Sequence, residues 1–115
     1  MTRKKQESRR RASARIEALK GRIATLDLVC SGTLLERTKL CGKPGCHCAV
    51  SPKHRHGPYW EWGRMHGGKL VHRTVSAKQA QLLRKAIANY KAVRSLLRAW
   101  ETETVRIMAA SDEHN

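Results

Sequence analysis

The stretch YWEWGRMHGGKLVHRTV (Tyr59–Val75) decides the fold. Its two ends are rich in aromatic and β-branched residues, which favour strands, and the H-G-G-K sequence between them is typical of a tight turn. Residues 59–62 and 70–75 therefore predict an antiparallel β-hairpin. Alternate strand residues point to opposite faces, so Trp60 and Trp62 share one face, and we expect that face to be core.

Before the hairpin, apolar residues recur with helical spacing. They lie three or four positions apart, at Ile16, Leu19, Ile23, Leu26 and Cys30. This heptad pattern predicts a helix over residues 12–30, although a glycine inside the run weakens it. Six of the preceding eleven residues are Lys or Arg, so we interpret residues 1–11 as a disordered basic arm.

After the hairpin, a second heptad pattern predicts a helix over residues 76–108. Its apolar positions are Leu83, Ala86, Tyr90, Val93, Leu97, Trp100, Thr104 and Ile107. The sequence S-A-K-Q at Ser76–Gln79 fits a capping box at the start of this helix. Residues 109–115 are expected to fray.

The predicted fold class is α+β, with two heptad-patterned helices flanking a small zinc-bound hairpin module over residues 33–75. Both helices need a partner for their apolar seams. We favour an antiparallel pair within one chain, while pairing of the long helix with a second copy buries the same residues. Monomer and homodimer therefore both stay open.

The composition indicates a polyanionic partner. The chain has 115 residues with 24 Lys and Arg against 9 acidic residues, a formal charge of +15. Counterion release makes nucleic acid the usual partner of such a surface. No run of 18 apolar residues and no signal sequence is present, so we expect no membrane contact and a cytoplasmic location, nucleoid-associated if the partner is DNA.

Three cysteines stand close together, at Cys41, Cys46 and Cys48. In a reducing compartment such cysteine clusters more often bind a metal ion than form disulfides. Among metals, zinc prefers thiolate and imidazole ligands. The sequence therefore predicts a structural Zn²⁺ site. For the fourth ligand, His56 is preferred and His54 is second. Two more distant alternatives are Cys30, better explained as a small core residue, and His47.

The order of these motifs resembles an uncharacterised family of small prokaryotic zinc-knuckle proteins. The shared pattern is C-G-K-x-x-C-x-C, then H-G-P-Y-W, then a G-K turn and a long helix, over about residues 33–100. The resemblance implies that Cys41, Cys46, Cys48 and His56 hold the zinc. It also implies a loose association with transposons and other mobile elements. Because this chain has extra histidines, His54 and His56 both remain candidates for the fourth zinc ligand.

Basic residues are candidates for contact with nucleic acid. The predicted set covers the N-terminal arm, the zinc module and one stripe of the long helix. Its members are Arg3, Lys4, Lys5, Arg9, Arg10, Arg11, Lys39, Lys43, Lys53, Arg55, Arg64, Lys69, Arg73, Arg84, Lys91, Arg94 and Arg98. Aromatic residues beside cations on a sheet also suit stacked bases.

The sequence thus predicts a zinc-stabilised nucleic-acid-binding protein, more suited to DNA than to RNA, and an accessory factor of a mobile element. One alternative is an adaptor that docks a larger protein, such as a recombinase, through its helices. A second is a metal-dependent hydrolase or nuclease using Glu61. Because the sequence has no paired carboxylates, no H-E-x-x-H and no phosphate loop, we expect no enzyme and no catalytic residue.

Overall fold

The computed structural model describes residues 2–39 and 56–111, with the backbone alone for Lys39, His56 and Gly57. The elements in chain order are α1 (Arg3–Ala24), β1 (Thr33–Lys39), β2 (His56–His66), β3 (Lys69–Val75) and α2 (Ala77–Ala110). The fold is α+β, with two helices and a three-stranded sheet in the part of the chain just defined. None of its helices is both long and apolar enough to cross a membrane.

The chain divides into two compact units. The first, here called the helical unit, combines Met1–Val29 with Ala88–Asn115, and the second, the sheet unit, is Cys30–Ile87. The helix α2 contributes residues to both units.

The sheet is antiparallel in the order β1-β2-β3. The predicted hairpin is confirmed, since β2 and β3 pair from Trp60 opposite Val75 to His66 opposite Lys69. Its two-residue turn has Gly67 at φ 59° and Gly68 at φ 79°. Positive φ at both positions is the requirement of a type I′ turn, which glycine meets without strain.

The strand β1 was missing from the sequence prediction. It pairs with β2 so that Leu34 lies opposite Trp62 and Leu35 opposite Glu61. In its sequence, T-L-L-E-R-T-K, apolar and polar residues alternate too weakly to predict a strand. What fixes β1 is pairing with a strand that follows it only after a long connection, and local patterns do not report such pairing.

The core of the sheet unit forms around Trp62, which is 8% exposed. Val75 and Ala80 are buried with it, and partly buried apolar residues pack around them, namely Cys30, Leu34, Trp60, Leu83 and Ile87. The indole Nε1 of Trp62 donates to the carbonyl of Ser31 at 2.9 Å, so its polar edge is satisfied. The expectation that the Trp60/Trp62 face is core is therefore confirmed.

Next to Trp62 the backbone approaches closely at Gly32, whose φ is 114°. A Cβ at this position would lie 2.3 Å from the carbonyl oxygen of Gly63 and 2.7 Å from Nε1 of Trp62. Both distances are too short for any side chain. Glycine is thus required where the chain enters β1.

The helix α1 begins much earlier than predicted. It starts at Arg3, capped by the hydroxyl of Thr2, which accepts from the amide of Lys5 at 3.2 Å. The predicted disordered arm is therefore wrong for residues 3–11, which are helical. Lys and Arg are good helix formers, and Ala12 within this extended helix is fully buried. The helix also ends earlier, at Ala24 rather than near Cys30.

The start of α2 confirms the predicted capping box. The amide of Gln79 donates to the Ser76 hydroxyl at 3.1 Å, and the amide of Ser76 donates to the Gln79 side chain at 2.9 Å. At its other end α2 continues to Ala110, so residues 109 and 110, expected to fray, are helical. Residues 112–115 lie outside the described part.

The predicted seam of α2 is wrong at two of its four positions beyond Val93, whereas Trp100 and Ile107 are partly buried as predicted. Leu97 is 49% exposed and Thr104 is also exposed, whereas Leu96 and Glu103 are buried. The prediction assumed one partner along the whole helix. Instead, residues 77–87 belong to the sheet unit and the rest to the helical unit, so one unbroken heptad repeat is not required.

In the helical unit, α1 and α2 run antiparallel. Arg15 contacts Glu103 at 3.2 Å, and further along α1 the ammonium of Lys20 lies 5.9 Å from the ring centroid of Trp100. Residue numbers along α1 rise while those of their partners fall. The predicted antiparallel pairing of the two helices within one chain is thus confirmed.

Candidate nucleic-acid interface

The helical unit carries a large excess of positive charge. Residues 2–29 and 88–111 contain thirteen Lys and Arg but five acidic residues. All six predicted contacts near the N-terminus are exposed on α1, namely Arg3, Lys4, Lys5, Arg9, Arg10 and Arg11. Because they stand on a helix and not on a flexible arm, their mutual spacing is fixed.

Part of this charge lines an open cleft of about 610 Å³ in the helical unit. Its lining residues are Lys4, Glu7, Ser8, Arg11, Arg15 and Arg106. Lys4, Arg11 and Arg15 are seven and four residues apart, which places them on one side of α1. Sequence reasoning missed Arg15 and Arg106, since neither belongs to the basic arm or to the stripe assigned to the long helix.

A buried carboxylate underlies this cleft. The Glu103 side chain is 8% exposed, and its carboxylate accepts from Arg15 at 3.2 Å and from Arg106. Burial alone raises the pKa of the Glu103 carboxyl, but the hydrogen bonds and charges of Arg106 and Arg15 outweigh burial and lower the pKa below its usual range. Glu103 is therefore ionised at neutral pH.

The role of Glu103 is to orient two guanidinium groups. The side chains of Arg15 and Arg106 remain 52% and 51% exposed, so both cations reach solvent while bound to the same carboxylate. A guanidinium has five N–H donors, and one shared carboxylate uses few of them. The pair therefore presents further donors to an anion in the cleft.

In the sheet unit, two predicted contacts cover tryptophan rings. The guanidinium of Arg64 lies 4.3 Å from the ring centroid of Trp62, and that of Arg84 lies 4.4 Å from that of Trp60. These are cation–π distances. Because the Trp faces are taken up by core packing and by arginine, stacking of bases on them is not favoured.

The remaining predicted contacts are spread over the molecule. Lys69 and Arg73 are exposed on β3, and Lys91, Arg94 and Arg98 are exposed on α2, where Arg94 lies 5.9 Å from the ring of Tyr90. Lys39 ends β1. Lys43, Lys53 and Arg55 lie outside the described residues.

The carboxylate of Glu61, named for the hydrolase alternative, is part of a charge cluster on the sheet. It accepts from Nε of Arg37 at 3.1 Å, and Nδ1 of His72 lies 3.6 Å away. Glu61 is 21% exposed. The contact with Arg37 ties β1 to β2, which is the arrangement of a structural ion pair.

The predicted zinc ligands Cys41, Cys46 and Cys48 and the alternatives His47 and His54 lie outside the described residues. Of His56 the structure gives the backbone, at the start of β2 and paired with Lys39 at the end of β1. Within residues 2–39 and 56–111, no group of three or more His, Cys, Asp or Glu is placed to hold a metal. Cys30 packs against the Trp62 core, as its core interpretation predicted.

The fold and the charged cleft define a small basic α+β protein with a helical unit and a sheet unit. The chain belongs to the DUF6788 family, a domain of unknown function, which matches residues 5–85. The match covers nearly all of α1, the whole sheet and the first turns of α2. Comparison with curated proteins found no match, and comparison with solved structures found none either.

Proposed function

We propose that this protein is a zinc-stabilised DNA-binding protein whose helical unit binds the phosphate backbone of a duplex. The observation that carries the proposal is the cleft in which Lys4, Arg11, Arg15 and Arg106 converge over the buried Glu103. Arginines held by a carboxylate are preorganised for phosphate, because less side-chain entropy is lost when they bind.

The spacing of the cations suits a polyanion better than a single small anion. The helical rise spreads Lys4, Arg11 and Arg15 over about 16 Å. A duplex presents about ten phosphate charges along such a length. α1 has no acidic residue in its first turn. In the cleft itself Glu7 lies 3.9 Å from Arg11, and the cations of the lining outnumber this carboxylate by four to one.

We also propose that a structural zinc ion stabilises this DNA-binding protein. The donor set Cys41, Cys46, Cys48 and His56 would complete a closed tetrahedron, which stabilises structure and leaves no open position for a substrate. Support comes from the sheet, where Lys39 and His56 are opposed in the ladder. Cys41 follows Lys39 by two residues, so the chain enters and leaves the proposed ligand segment at neighbouring points.

The proposed biological setting is that of an accessory factor of a mobile element, which rests on the resemblance of the motif string. A small non-enzymatic DNA-binding protein suits this setting, since such a protein assists a larger recombinase without chemistry of its own. The charge cluster around Glu61 supports the absence of a catalytic role for that residue.

The test is a salt titration of binding to a labelled duplex. Replacing Lys4 with Ala and Arg11 with Gln removes two phosphate contacts, which lowers affinity and reduces the slope of log Kobs against log salt by about 2. Lys20→Gln is the matched control, because Lys20 is an exposed cation of the same helix that is not among the residues lining the cleft. Its slope is expected to stay near that of the wild type.

Binding that does not weaken with salt, or equal slopes for the double variant and the control, would contradict the phosphate cleft. Parallel titrations with single-stranded DNA and duplex RNA decide between the polyanions. A duplex DNA affinity below that for RNA at matched salt would move the proposal to RNA.

A second candidate, the adaptor, is favoured by one observation. α2 exposes three apolar side chains in the helical unit, Leu97, Val105 and Met108, at 49%, 49% and 65%. Exposed apolar residues on one helix favour contact with a protein partner. Leu97→Lys would abolish such contact while leaving the salt-dependent DNA binding in place, which sedimentation and pull-down with a recombinase would measure.

A further inference from the structure

The hairpin tip of the sheet unit projects beyond its neighbouring strand. The pairing of β1 with β2 ends at Thr33 opposite Gly63, whereas β2 and β3 stay paired through three further positions to His66 opposite Lys69. With a strand rise of about 3.4 Å per residue, this two-stranded ribbon extends about 10 Å past β1. The Gly67-Gly68 turn closes it.

The projecting ribbon carries two exposed apolar side chains side by side. Met65 and Leu70 are directly opposed in the ladder, and they are 63% and 62% exposed. Opposed residues have Cβ atoms about 4.5–5.5 Å apart and lie on the same face, so the two side chains form one apolar projection. Neither residue is among those that pack around Trp62.

The ribbon that carries the pair is basic. Between Glu61 and Glu101 the sequence contains no acidic residue. Arg64, Lys69 and Arg73 lie on the face opposite Met65 and Leu70, because neighbouring residues of a strand alternate between faces. A tip with an apolar pair on one face and cations on the other can place apolar side chains against bases while its cations reach the bordering phosphates.

We propose that the hairpin tip, residues 64–71, is a wedge that enters the minor groove of duplex DNA and inserts Met65 and Leu70 between base steps. Side chains such as Met and Leu act in this way in architectural proteins, which unstack a step and kink the duplex by about 20–90°. The unbranched, flexible Met side chain adapts to the gap between bases. This wedge rests on the proposed DNA binding and adds to it that the protein bends the duplex.

The experiment measures affinity and bending on the same sample. A duplex of about 25 base pairs carries a fluorophore pair at its ends and 2-aminopurine at its A·T-rich centre. Wild-type protein is expected to raise the energy transfer and the 2-aminopurine fluorescence, because the ends approach and one base step unstacks. Met65→Ser with Leu70→Ser is expected to lose both signals and about tenfold in affinity, with an unchanged salt slope.

Matched controls come from exposed apolar residues elsewhere. Met108 and Leu82 are 65% and 52% exposed on α2, and Met108→Ser with Leu82→Ser removes similar surface without touching the hairpin. This variant is expected to bend DNA as the wild type does. Far-UV circular dichroism checks that each variant keeps its fold, and both wedge positions are exposed enough for serine to be accommodated.

The outcomes separate the wedge from the phosphate cleft. Wild-type binding without bending, or normal bending by the Met65/Leu70 variant, overturns the wedge and leaves the cleft standing. Loss of bending in the tip variant with a preserved salt slope supports the wedge. Absence of duplex binding by the wild type overturns both proposals together.

Discussion

The helical unit and the sheet unit are stabilised in different ways. In the helical unit, small and apolar residues line the helix pair, and one position of that seam is the charged Glu103. In the sheet unit, a single large side chain, Trp62, packs in one cluster with residues of the other strands and of the start of α2. In the helical unit, part of the apolar contact between the helices is thus replaced by a carboxylate that positions cations. In the sheet unit, the packing is concentrated around one side chain.

The largest effect is expected from loss of the proposed zinc site beside the sheet unit. Cys46→Ser should remove about one zinc per chain and unfold the segment between β1 and β2, because apparent binding energies of structural zinc are about 10–16 kcal/mol. Elemental analysis and amide NMR spectra measure this. Cys30→Ala is the control, and it should retain the metal because Cys30 packs in the core. Full zinc content in Cys46→Ser would show that the ligand set is wrong.

Next in size are truncations at the core of each unit. Trp62→Ala should destabilise by about 3–5 kcal/mol and Leu96→Ala by about 2–5 kcal/mol. Denaturant unfolding is followed both by tryptophan fluorescence and by helical circular dichroism. If the units unfold independently, Trp62→Ala shifts only part of the helical signal. Coincident transitions in both variants would instead show a single cooperative structure.

A smaller pair of effects has opposite signs in the two units. Gly32→Ala in the sheet unit should destabilise by more than about 1 kcal/mol, because φ is positive there and the Cβ meets the Gly63 carbonyl. Gly21→Ala in the helical unit should stabilise by about 0.5–1 kcal/mol, since Gly21 is helical and an added Cβ would have no atom within 4 Å. Thermal melts of the two variants on either side of the wild type would bear this out, and a shared sign would refute it.

The smallest effect at neutral pH is expected from Glu103→Gln, because its arginine partners are half exposed and screened by solvent. The folded-state pKa of Glu103 is lowered, so its stabilisation is present above the unfolded value of about 4.3 and is lost as pH falls through the folded value. The melting temperature of the wild type should therefore exceed that of the variant at neutral pH, and the two should converge as pH falls through the folded-state pKa of Glu103.

Glu101→Gln is the matched control, since Glu101 is an exposed carboxylate two residues away on the same helix. Its melting curve should track that of the wild type across the whole pH range. A constant gap between wild type and Glu103→Gln down to acid pH would show that the charge of Glu103 does not stabilise the helix pair.

Local patterns in the sequence were enough for several elements. The H-G-G-K turn and the Ser76–Gln79 capping box are each encoded within a few neighbouring residues, and each is present as predicted. The predicted seam of α1 is present in part, because Ile16, Leu19 and Ile23 are half-buried on the helix whereas Leu26 and Cys30 follow its end. A capping box or a tight turn is a contact between residues three or four apart. Its chemistry is visible without knowledge of the rest of the chain.

Features that depend on distant residues were missed. β1 is defined by pairing with Trp62 and Glu61, and the Arg15–Glu103 contact joins residues 88 apart. Residues 3–11 were taken for an arm because their charge density obscured their helix propensity. Of the candidate site, the cations of α1 were found from composition, whereas Arg15 and Arg106 needed the helix pairing to bring them to one cleft.

The interleaved layout of the two units has a consequence for the order in which the chain is made. Residues 30–87 form a continuous stretch, so the sheet unit has all its own residues as soon as that stretch leaves the ribosome. The seam of α1 must wait for its partner on α2, because Glu103, which binds Arg15, is made 88 residues later. During that interval the nascent chain exposes Ile16, Leu19 and Ile23, so a chaperone that shields this segment would raise the yield of native protein.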